Sequence, residues 1–332
     1  MQYGEAMADD PNSFSNGSAP TPDEATSGSD GRTGLGKPQT HGSDDTPSEY
    51  GTGGITDPGA DVAIPSIIAK GIAEEIKDNP TPKDEPFISF DNVSKSFGDF
   101  TVLEGVSFFV KPGETLCILG RSGVGKSVSL QMLMGFLKPD SGSIVVAGED
   151  IAGFTELQMQ QVRRKVTMVF QNGALFDSIS VGENVAFPLR ERGDLMEDQI
   201  FQVVKGLLEM VGVAGMADLL PSDLSTGMKR SVAIARALAS QPEAVLYDEP
   251  TTMVDPMMAH LLGNLIQRLK QQLHLTSIVV THDMRFARKL ADRVVFLHQG
   301  KVHFFGTVEE LEKSQDPVLQ QFFALDELVL PV

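Results

Sequence analysis

The stretch GRSGVGKS, Gly120–Ser127, decides the fold class of this 332-residue chain. It matches the pattern G-x-x-x-x-G-K-[ST], in which glycines let backbone N–H groups wrap around a phosphate chain. In such a loop the lysine, here Lys126, reaches the β- and γ-phosphates, and the hydroxyl of Ser127 holds Mg²⁺. The apolar run TLCILG leads into the loop, and the helical pattern SVSLQMLMGF follows it. The sequence therefore predicts an α/β fold that binds a nucleotide, with contacts from Gly120, Arg121, Ser122, Gly123, Val124, Gly125, Lys126, Ser127 and Val128.

Four short apolar runs, each ending in polar residues, predict the strands of a parallel sheet. They are TLCILG (115–120), VTMVF (166–170), AVLYDE (244–249) and SIVVTH (277–282), and helical patterns separate them. In open α/β sheets, ligands lie beyond the carboxyl ends of the strands. The residues at the ends of these runs are therefore candidates for one shared site.

Amide, acidic and imidazole side chains mark the ends of the last three runs. Asp248 is placed to hold Mg²⁺, and Glu249 could orient a water for attack on the γ-phosphate. The alternative for these two residues is an acid pair that caps the next helix. His282 could hydrogen-bond the γ-phosphate or the attacking water, or it could be structural. Gln171 taken alone is equally typical of a solvated turn.

Charge and cysteine content narrow the class of protein. Residues 1–85 carry 16 acidic and 5 basic residues, a net charge of −11, so the rest of the chain contributes −7 to the total of −18. A chain without a basic stripe is not expected to bind nucleic acid. The single cysteine, Cys117, lies in an apolar run and is expected to be a buried strand thiol rather than a reactive one. No stretch resembles a membrane span or a signal peptide, which favours a reducing, cytoplasmic-type compartment.

The segment before the phosphate loop divides into two parts. Residues 1–60 are rich in Gly, Ser, Asp, Thr and Pro, and such a composition predicts a disordered tail. Isoleucines then recur every four residues from Ile64 to Ile76 and predict a short helix near 62–77, either weakly docked on the domain or free to bind a partner. The predicted organisation is a tail with this helix at 1–85, a globular domain at 86–325 and a short C-terminal tail at 326–332.

Residues 86 to about 325 resemble the nucleotide-binding domains of ABC transporters. GRSGVGKS is similar to the Walker A motif, VLYDE (245–249) to Walker B with its catalytic glutamate, and Met253-Val254-Asp255 to the D-loop. Gln171 resembles the Q-loop glutamine, which also contacts the metal, and His282 resembles the switch histidine. The resemblance implies an ATPase that uses ATP and Mg²⁺, with Asp255 at the nucleotide. It also implies a mixed sheet core plus a helical subdomain at about 172–240.

The resemblance gives an aromatic residue a role as well. Phe97, in KSFGDF, is at the place where the family stacks an aromatic ring on the adenine, although a simple core role is the alternative.

The stretch LSTGM (224–228) is similar to the ABC signature LSGGQ. The resemblance implies that Ser225 and Gly227 contact the γ-phosphate of ATP held by a second copy of the chain, in a head-to-tail homodimer. Thr226 and Met228 depart from the family pattern, and this leaves the turnover rate open. The alternative from the residues alone is a helix capped by serine.

A narrower resemblance, to the ATPases of Mla and Mce-type lipid transporters, rests on FQNGALFDSISVGENVAFPLRE (170–191) and on the signature ending in GM. It implies lipid or phospholipid transport through an integral membrane permease, with a lipid-binding substrate protein in the complex. The chain would then lie peripherally on the cytoplasmic side of the inner (plasma) membrane. Residues 187–190 (FPLR) are expected to form one wall of the groove that holds the permease.

Other classes fit less well. The alternative within the transporter class is the ATPase of an importer for a small polar solute. A DNA-repair or chromosome-organising ATPase would carry a long heptad insertion between Lys126 and Leu224, and that spacer has none. A translation-type ABC protein would carry two nucleotide domains, and the sequence has one phosphate loop.

Overall fold

The computed structural model describes residues 62–78 and 85–328. Their centre is a six-stranded sheet in the order β10-β9-β3-β8-β7-β6. The strands from β9 to β6 are parallel, and β10 pairs antiparallel with β9 at one edge. The strands are β3 (Thr115–Leu119), β6 (Val166–Val169), β7 (Ala244–Asp248), β8 (Thr276–Val280), β9 (Arg293–His298) and β10 (Lys301–Thr307).

The four strands predicted from apolar runs are neighbours in this sheet. Every residue of β3, β7 and β8 is buried, which is the reason these strands read as continuous apolar stretches rather than alternating ones. The strand β9, which lies between β10 and β3, was not predicted, although RVVFLH is a similar run. The mixed α/β core is confirmed, and the carboxyl ends of β3, β6, β7 and β8 face one side of the molecule.

A second, antiparallel sheet packs beside the first. It has the order β2-β1-β4-β5, and its inward residues, among them Phe90, Phe108 and Ile144, form a core with Leu116 and Ile118 of β3. The rings of Phe90 and Phe108 stack with centroids 4.4 Å apart. These strands are β1 (Ile88–Phe97), β2 (Phe100–Val110), β4 (Ser141–Val146) and β5 (Glu149–Asp150).

Helices pack on the six-stranded sheet, and together they form a second hydrophobic core. Helix α2 (Lys126–Leu133) follows the phosphate loop, and α3 (Glu156–Lys165) precedes β6. A helical layer between β6 and β7 consists of α4 (Val181–Arg192), α5 (Glu197–Met210) and α6 (Thr226–Ala239). The remaining helices are α7 (Pro256–Leu273), α8 (Met284–Leu290), α9 (Val308–Lys313) and α10 (Pro317–Leu328).

The isoleucine pattern near the start does form a helix, α1 (Ser66–Asp78), which begins four residues later than predicted. Ile68 and Ile72 are buried in the same core as the helical layer. A Cβ placed on Gly206 of α5 would lie 2.9 Å from Cγ of Pro65, so Pro65 packs closely on α5. The docked alternative is therefore the one that the structure supports, and Ile68 and Ile72 pack as core residues.

Other expectations from the sequence concern the two tails, the cysteine and membrane-spanning segments. Residues 1–60, predicted to be a disordered tail, lie outside the described residues. Helix α10 continues across the boundary that the sequence placed at residue 325. Cys117 is buried, and burial raises the pKa of its thiol to about 12. Among the described helices, none has the length and apolar character that crossing a membrane requires.

Candidate functional site

The phosphate loop connects β3 to α2 and is shaped by close backbone approaches. Gly125 has φ 104°, and a Cβ there would lie 2.5 Å from Cδ2 of Leu103. A Cβ on Gly120 would lie 2.6 Å from the carbonyl oxygen of Leu297. Only glycine meets both demands, the backbone conformation and the absent side chain. The glycines that the motif requires are therefore explained by local packing as well as by access for a phosphate.

Lys126 is the first residue of α2, at the end of the loop, and it is 5% exposed. Its ammonium donates to the carbonyl oxygens of Gly120 at 2.8 Å and Arg121 at 3.2 Å. Its Nζ is also 3.3 Å from Oε1 of Glu249. A buried ammonium needs such partners, because burial without them is costly. The Glu249 carboxylate thus partly balances the charge of the buried ammonium.

Ser127 and Asp248 meet across the cleft. The Ser127 hydroxyl donates to Oδ1 of Asp248 at 2.8 Å. Burial raises the pKa of Asp248, and the Ser127 hydrogen bond partly opposes that shift. The hydroxyl and the carboxylate offer hard oxygen ligands, which suit Mg²⁺. The charge of the ion would in turn stabilise the ionised form of the buried carboxylate.

Glu249 is held in place by three side chains. Its Oε2 accepts from the Thr252 hydroxyl at 3.0 Å and lies 2.8 Å from Nδ1 of His282. Burial pushes the pKa of Glu249 upward, but the His282 hydrogen bond and the Lys126 charge outweigh it and bring the pKa below its ordinary value. The same hydrogen bond raises the pKa of His282. Glu249 is therefore a charged carboxylate, as a group that polarises water must be.

The backbone of Glu249 has φ 47°, a conformation that residues other than glycine seldom adopt. Its N–H donates to the carbonyl oxygen of Val280 at 2.9 Å, which anchors it to β8. Such strain persists only where surrounding contacts fix it, and it is common at functional sites. The turn at the end of β7 thus directs the carboxylate into the cleft.

Lys126, Ser127 and Glu249 border an open cleft of about 380 Å³. Gln171, two residues after β6, and His282, two residues after β8, both border it. The carboxyl ends of four parallel strands therefore converge as the sequence predicted. The lining residues are Val102, Ser122, Gly123, Gly125, Lys126, Ser127, Val128, Gln171, Glu249, Thr252 and His282.

Some predicted contacts lie beside the cleft rather than on its surface. Gly120 and Arg121 turn their carbonyl oxygens towards Lys126, and the Val124 N–H donates to Arg121 within the loop. Phe97 ends β1 with 48% of its surface exposed, and the Lys95 ammonium lies 5.6 Å from its ring centroid. Its half-exposed ring argues against the core alternative and leaves a face available for stacking.

The signature residues lie away from this cleft. Ser225 caps α6 by accepting from the Met228 N–H at 3.3 Å, as the alternative interpretation expected, and it remains exposed. Gly227 is buried, because Met258 packs on it with Cβ 2.8 Å from where a Cβ would be. Asp255 caps α7 through the Met258 N–H at 2.9 Å. Neither Ser225 nor Asp255 borders the cleft of its own chain, so their nucleotide contacts stay predictions.

Two cleft residues escaped the sequence reasoning. Thr252 follows Glu249 by three residues, in DEPTT, and this spacing was the available signal for its hydroxyl. Val102 reaches the cleft from β2, in the second sheet. No local pattern marks Val102, because its position depends on how the two sheets pack.

Comparison with known proteins places this site in a family. The ABC transporter family model matches residues 103–252. The intermembrane phospholipid transport system ATP-binding protein MlaF of Haemophilus influenzae is 41% identical over 235 residues, covering 71% of this chain and 89% of the relative. The chloroplastic protein TRIGALACTOSYLDIACYLGLYCEROL 3 of Arabidopsis thaliana is 38% identical over 252 residues, covering 70% and 71%.

A solved structure gives the same answer for the fold. A dimeric ATP-binding cassette in a post-hydrolysis state, with ADP and phosphate bound, is 30% identical, with a TM-score of 0.62. It covers 67% of this chain and 98% of that one. With a phosphate loop, an acid pair and a histidine at the ends of neighbouring strands, this chain belongs to the ATP-binding subunits of ABC transporters, and it is an ATPase.

Proposed function

We propose that this chain hydrolyses ATP to drive phospholipid transport between membranes through an integral membrane permease. The cluster of Lys126, Glu249 and His282 in the cleft carries the ATPase part. The lipid part is supported by the 41% identity to a relative named as part of an intermembrane phospholipid transport system. The complex would include a lipid-binding substrate protein, and the chain would lie on the cytoplasmic side of the inner membrane.

The cleft residues divide the chemistry among them. Lys126 and the loop N–H groups bind the phosphates of ATP, and Glu249 orients the attacking water. His282 holds Glu249 and reaches the same space. Ser127, Asp248 and Gln171 would hold Mg²⁺, whose charge, when the ion is bound, neutralises that of the phosphates. The side chains therefore act by position and charge rather than by covalent chemistry.

The permease would dock on a groove of about 380 Å³ between α4 and α5. Arg190 borders this groove, together with Ile200 and the largely exposed Phe201. The wall expected at residues 187–190 stays a prediction. Arg190 borders the groove, Leu189 is buried, and Phe187 is 47% exposed with its ring against Phe176. Arg190 is held by ion pairs with Glu183 and Glu197, which fixes its planar head at the rim.

The permease identity tests the lipid assignment. Full-length chain purified from membranes should bring with it a permease, and that complex should contain a lipid-binding protein and release phospholipid on extraction. Arg190→Ala with Phe201→Ala should weaken the complex roughly tenfold or more, because buried aromatic and arginine anchors dominate interfaces. Recovery of a permease for a small polar solute, without bound lipid, would support the importer alternative and refute the lipid assignment.

The proposed homodimer is supported by the position of Ser225 relative to the cleft of its own chain. Ser225 is exposed and does not border its own described cleft, so it is available to the ATP of a second copy. In a Glu249→Gln background with saturating Mg-ATP, gel filtration should show a dimer, because ligand stabilises the state that it bridges.

Two substitutions at one position make the dimer test specific. Ser225→Asp keeps a good helix cap but places a negative charge against the partner's phosphates, so it should abolish the dimer. Ser225→Asn caps equally well without the charge and should keep it. A dimer that survives Ser225→Asp unchanged would contradict the assignment of Ser225 to the partner's nucleotide.

A further inference from the structure

Arg230 is a buried charge close to the phosphate cleft. It lies on α6, five residues beyond Ser225, and only 3% of it is exposed. Its NH1 group donates to the carbonyl oxygen of Phe170 at 3.0 Å, and its NH2 group donates to that of Thr252 at 3.3 Å. Its guanidinium therefore connects three segments that are far apart in the sequence.

Both acceptors belong to backbone that carries site residues. Phe170 is followed directly by Gln171, which borders the cleft. Thr252 donates its hydroxyl to Glu249 at 3.0 Å and its N–H to the Glu249 carbonyl oxygen at 3.2 Å. A shift of α6 would thus move the anchor of Gln171 and the anchor of Glu249 together.

Packing alone does not account for a guanidinium at this position. Burial lowers the pKa of Arg230, and the Asp248 charge opposes that shift. Its Nε has no hydrogen-bond acceptor among the described residues. An apolar side chain of similar volume is often at least as stable at such a site, because it avoids the desolvation of a charge. The contribution of the Arg230 guanidinium is therefore its two hydrogen bonds to carbonyl oxygens rather than core stability.

We propose that Arg230 is a positioning residue for ATP hydrolysis, which ties the signature end of α6 to Gln171 and Glu249 of the same subunit. This inference rests on the proposed function. When Ser225 contacts the ATP of the partner, α6 is the rigid element that carries the contact, and Arg230 is its link to the hydrolytic carboxylate. Each half site would then be set for hydrolysis only when the signature end is engaged.

The first test compares Arg230→Met with a matched arginine elsewhere. Arg268 on α7 also donates to a backbone carbonyl, that of Met210 at 2.7 Å, but neither Met210 nor its chain neighbours line the cleft. With full-length protein, Arg230→Met should lower kcat about tenfold or more while KM for ATP stays within about threefold. Arg268→Met should keep kcat within about twofold. Equal kcat values for the two variants would overturn the proposal.

A double-mutant cycle with Thr252→Val separates positioning from general damage. That substitution removes the hydroxyl that holds Glu249. If Arg230 acts through Thr252, the loss of kcat in the double mutant should be smaller than the product of the two single losses by about threefold or more. Losses that simply multiply would overturn the proposal. Arg230→Lys keeps the charge but reaches only one carbonyl, and it should lie between wild type and Arg230→Met, which keeps the test open if Arg230→Met folds poorly.

The proposed function and this inference fail in different ways. If Glu249→Gln does not dimerise with Mg-ATP, the two-subunit site is wrong. If Glu249→Gln dimerises and Arg230→Met still hydrolyses ATP at the wild-type rate, only the role of Arg230 is wrong.

Discussion

Buried glutamates flank the two ends of β7, and their pKa values are shifted in opposite directions. At the carboxyl end, Glu249 is 9% exposed, and its pKa is lowered although burial acts against it. Just before the amino end, Glu243 is 5% exposed, and burial raises its pKa to about 7, with Glu75 adding to the shift and Lys165 opposing it. Oε1 of Glu243 has no hydrogen-bond partner among the described residues.

The difference lies in the partners rather than in burial. Glu249 faces an ammonium, an imidazole and a hydroxyl, from Lys126, His282 and Thr252. Glu243 is anchored by its backbone, which donates to the Lys165 carbonyl oxygen at 2.8 Å and accepts from the Thr276 N–H at 3.1 Å. A buried carboxylate is therefore not by itself a sign of catalysis. The sign is a buried carboxylate that its neighbours keep charged.

The largest expected contrast between the two ends is in ATP hydrolysis. Glu249→Gln should lower kcat roughly 100-fold or more and leave ATP binding intact, because the amide keeps the shape but cannot polarise water. Glu243→Gln should keep kcat within about twofold. Phosphate release and binding of a fluorescent ATP analogue measure the two effects separately.

Two outcomes define the limits of that contrast. Lys126→Ala should lose ATP binding as well as hydrolysis, because it removes the cation that contacts the phosphates. Near-normal hydrolysis by Glu249→Gln would contradict its role, and a large loss in Glu243→Gln would show that the amino end of β7 also belongs to the site.

The sequence predicted the carboxyl end of β7 well and its amino end not at all. Asp248 and Glu249 close an apolar run, and the convergence of parallel strand ends brings them to Ser127 and His282. Glu243 precedes the run, where an exposed loop acid is the default expectation. Its burial depends on α3, on β8 and on where α1 docks, and none of these is visible in the local pattern.

The dependence on tertiary contacts also explains which other strands and site residues the sequence did not predict. The strands that are buried on both faces were predicted because they are continuous apolar runs, whereas the antiparallel β1 mixes buried and exposed residues irregularly. Arg230 and Thr252 are ordinary polar residues in the sequence. The contacts of Arg230 span 60 and 22 residues of chain, which only the tertiary fold brings together, whereas Thr252 contacts Glu249 three residues away and was missed although that spacing is local.

The smaller expected contrast is in stability against pH. The ordinary pKa of Glu243, 4.5, applies when the chain is unfolded, and the folded value is about 7. Between these values the unfolded chain has released the proton and the folded chain still holds it, so stability falls as pH rises. The contribution of the protonated acid is complete below pH 4.5 and is lost as pH passes 7. Glu243→Gln is neutral at every pH and should remove this slope.

Chemical unfolding of wild type and Glu243→Gln between pH 5 and 8 measures the effect. The two should be similar near pH 5, and the variant should be more stable at pH 8 by on the order of 2 kcal/mol, since each pKa unit corresponds to about 1.4 kcal/mol. Titrations elsewhere in the chain cancel in the difference. Glu249→Gln should show no such gain at pH 8, because its carboxylate is already stabilised as the charged form. Parallel curves for wild type and Glu243→Gln would mean that Glu243 is charged when folded, and that the two ends of β7 differ less than their surroundings indicate.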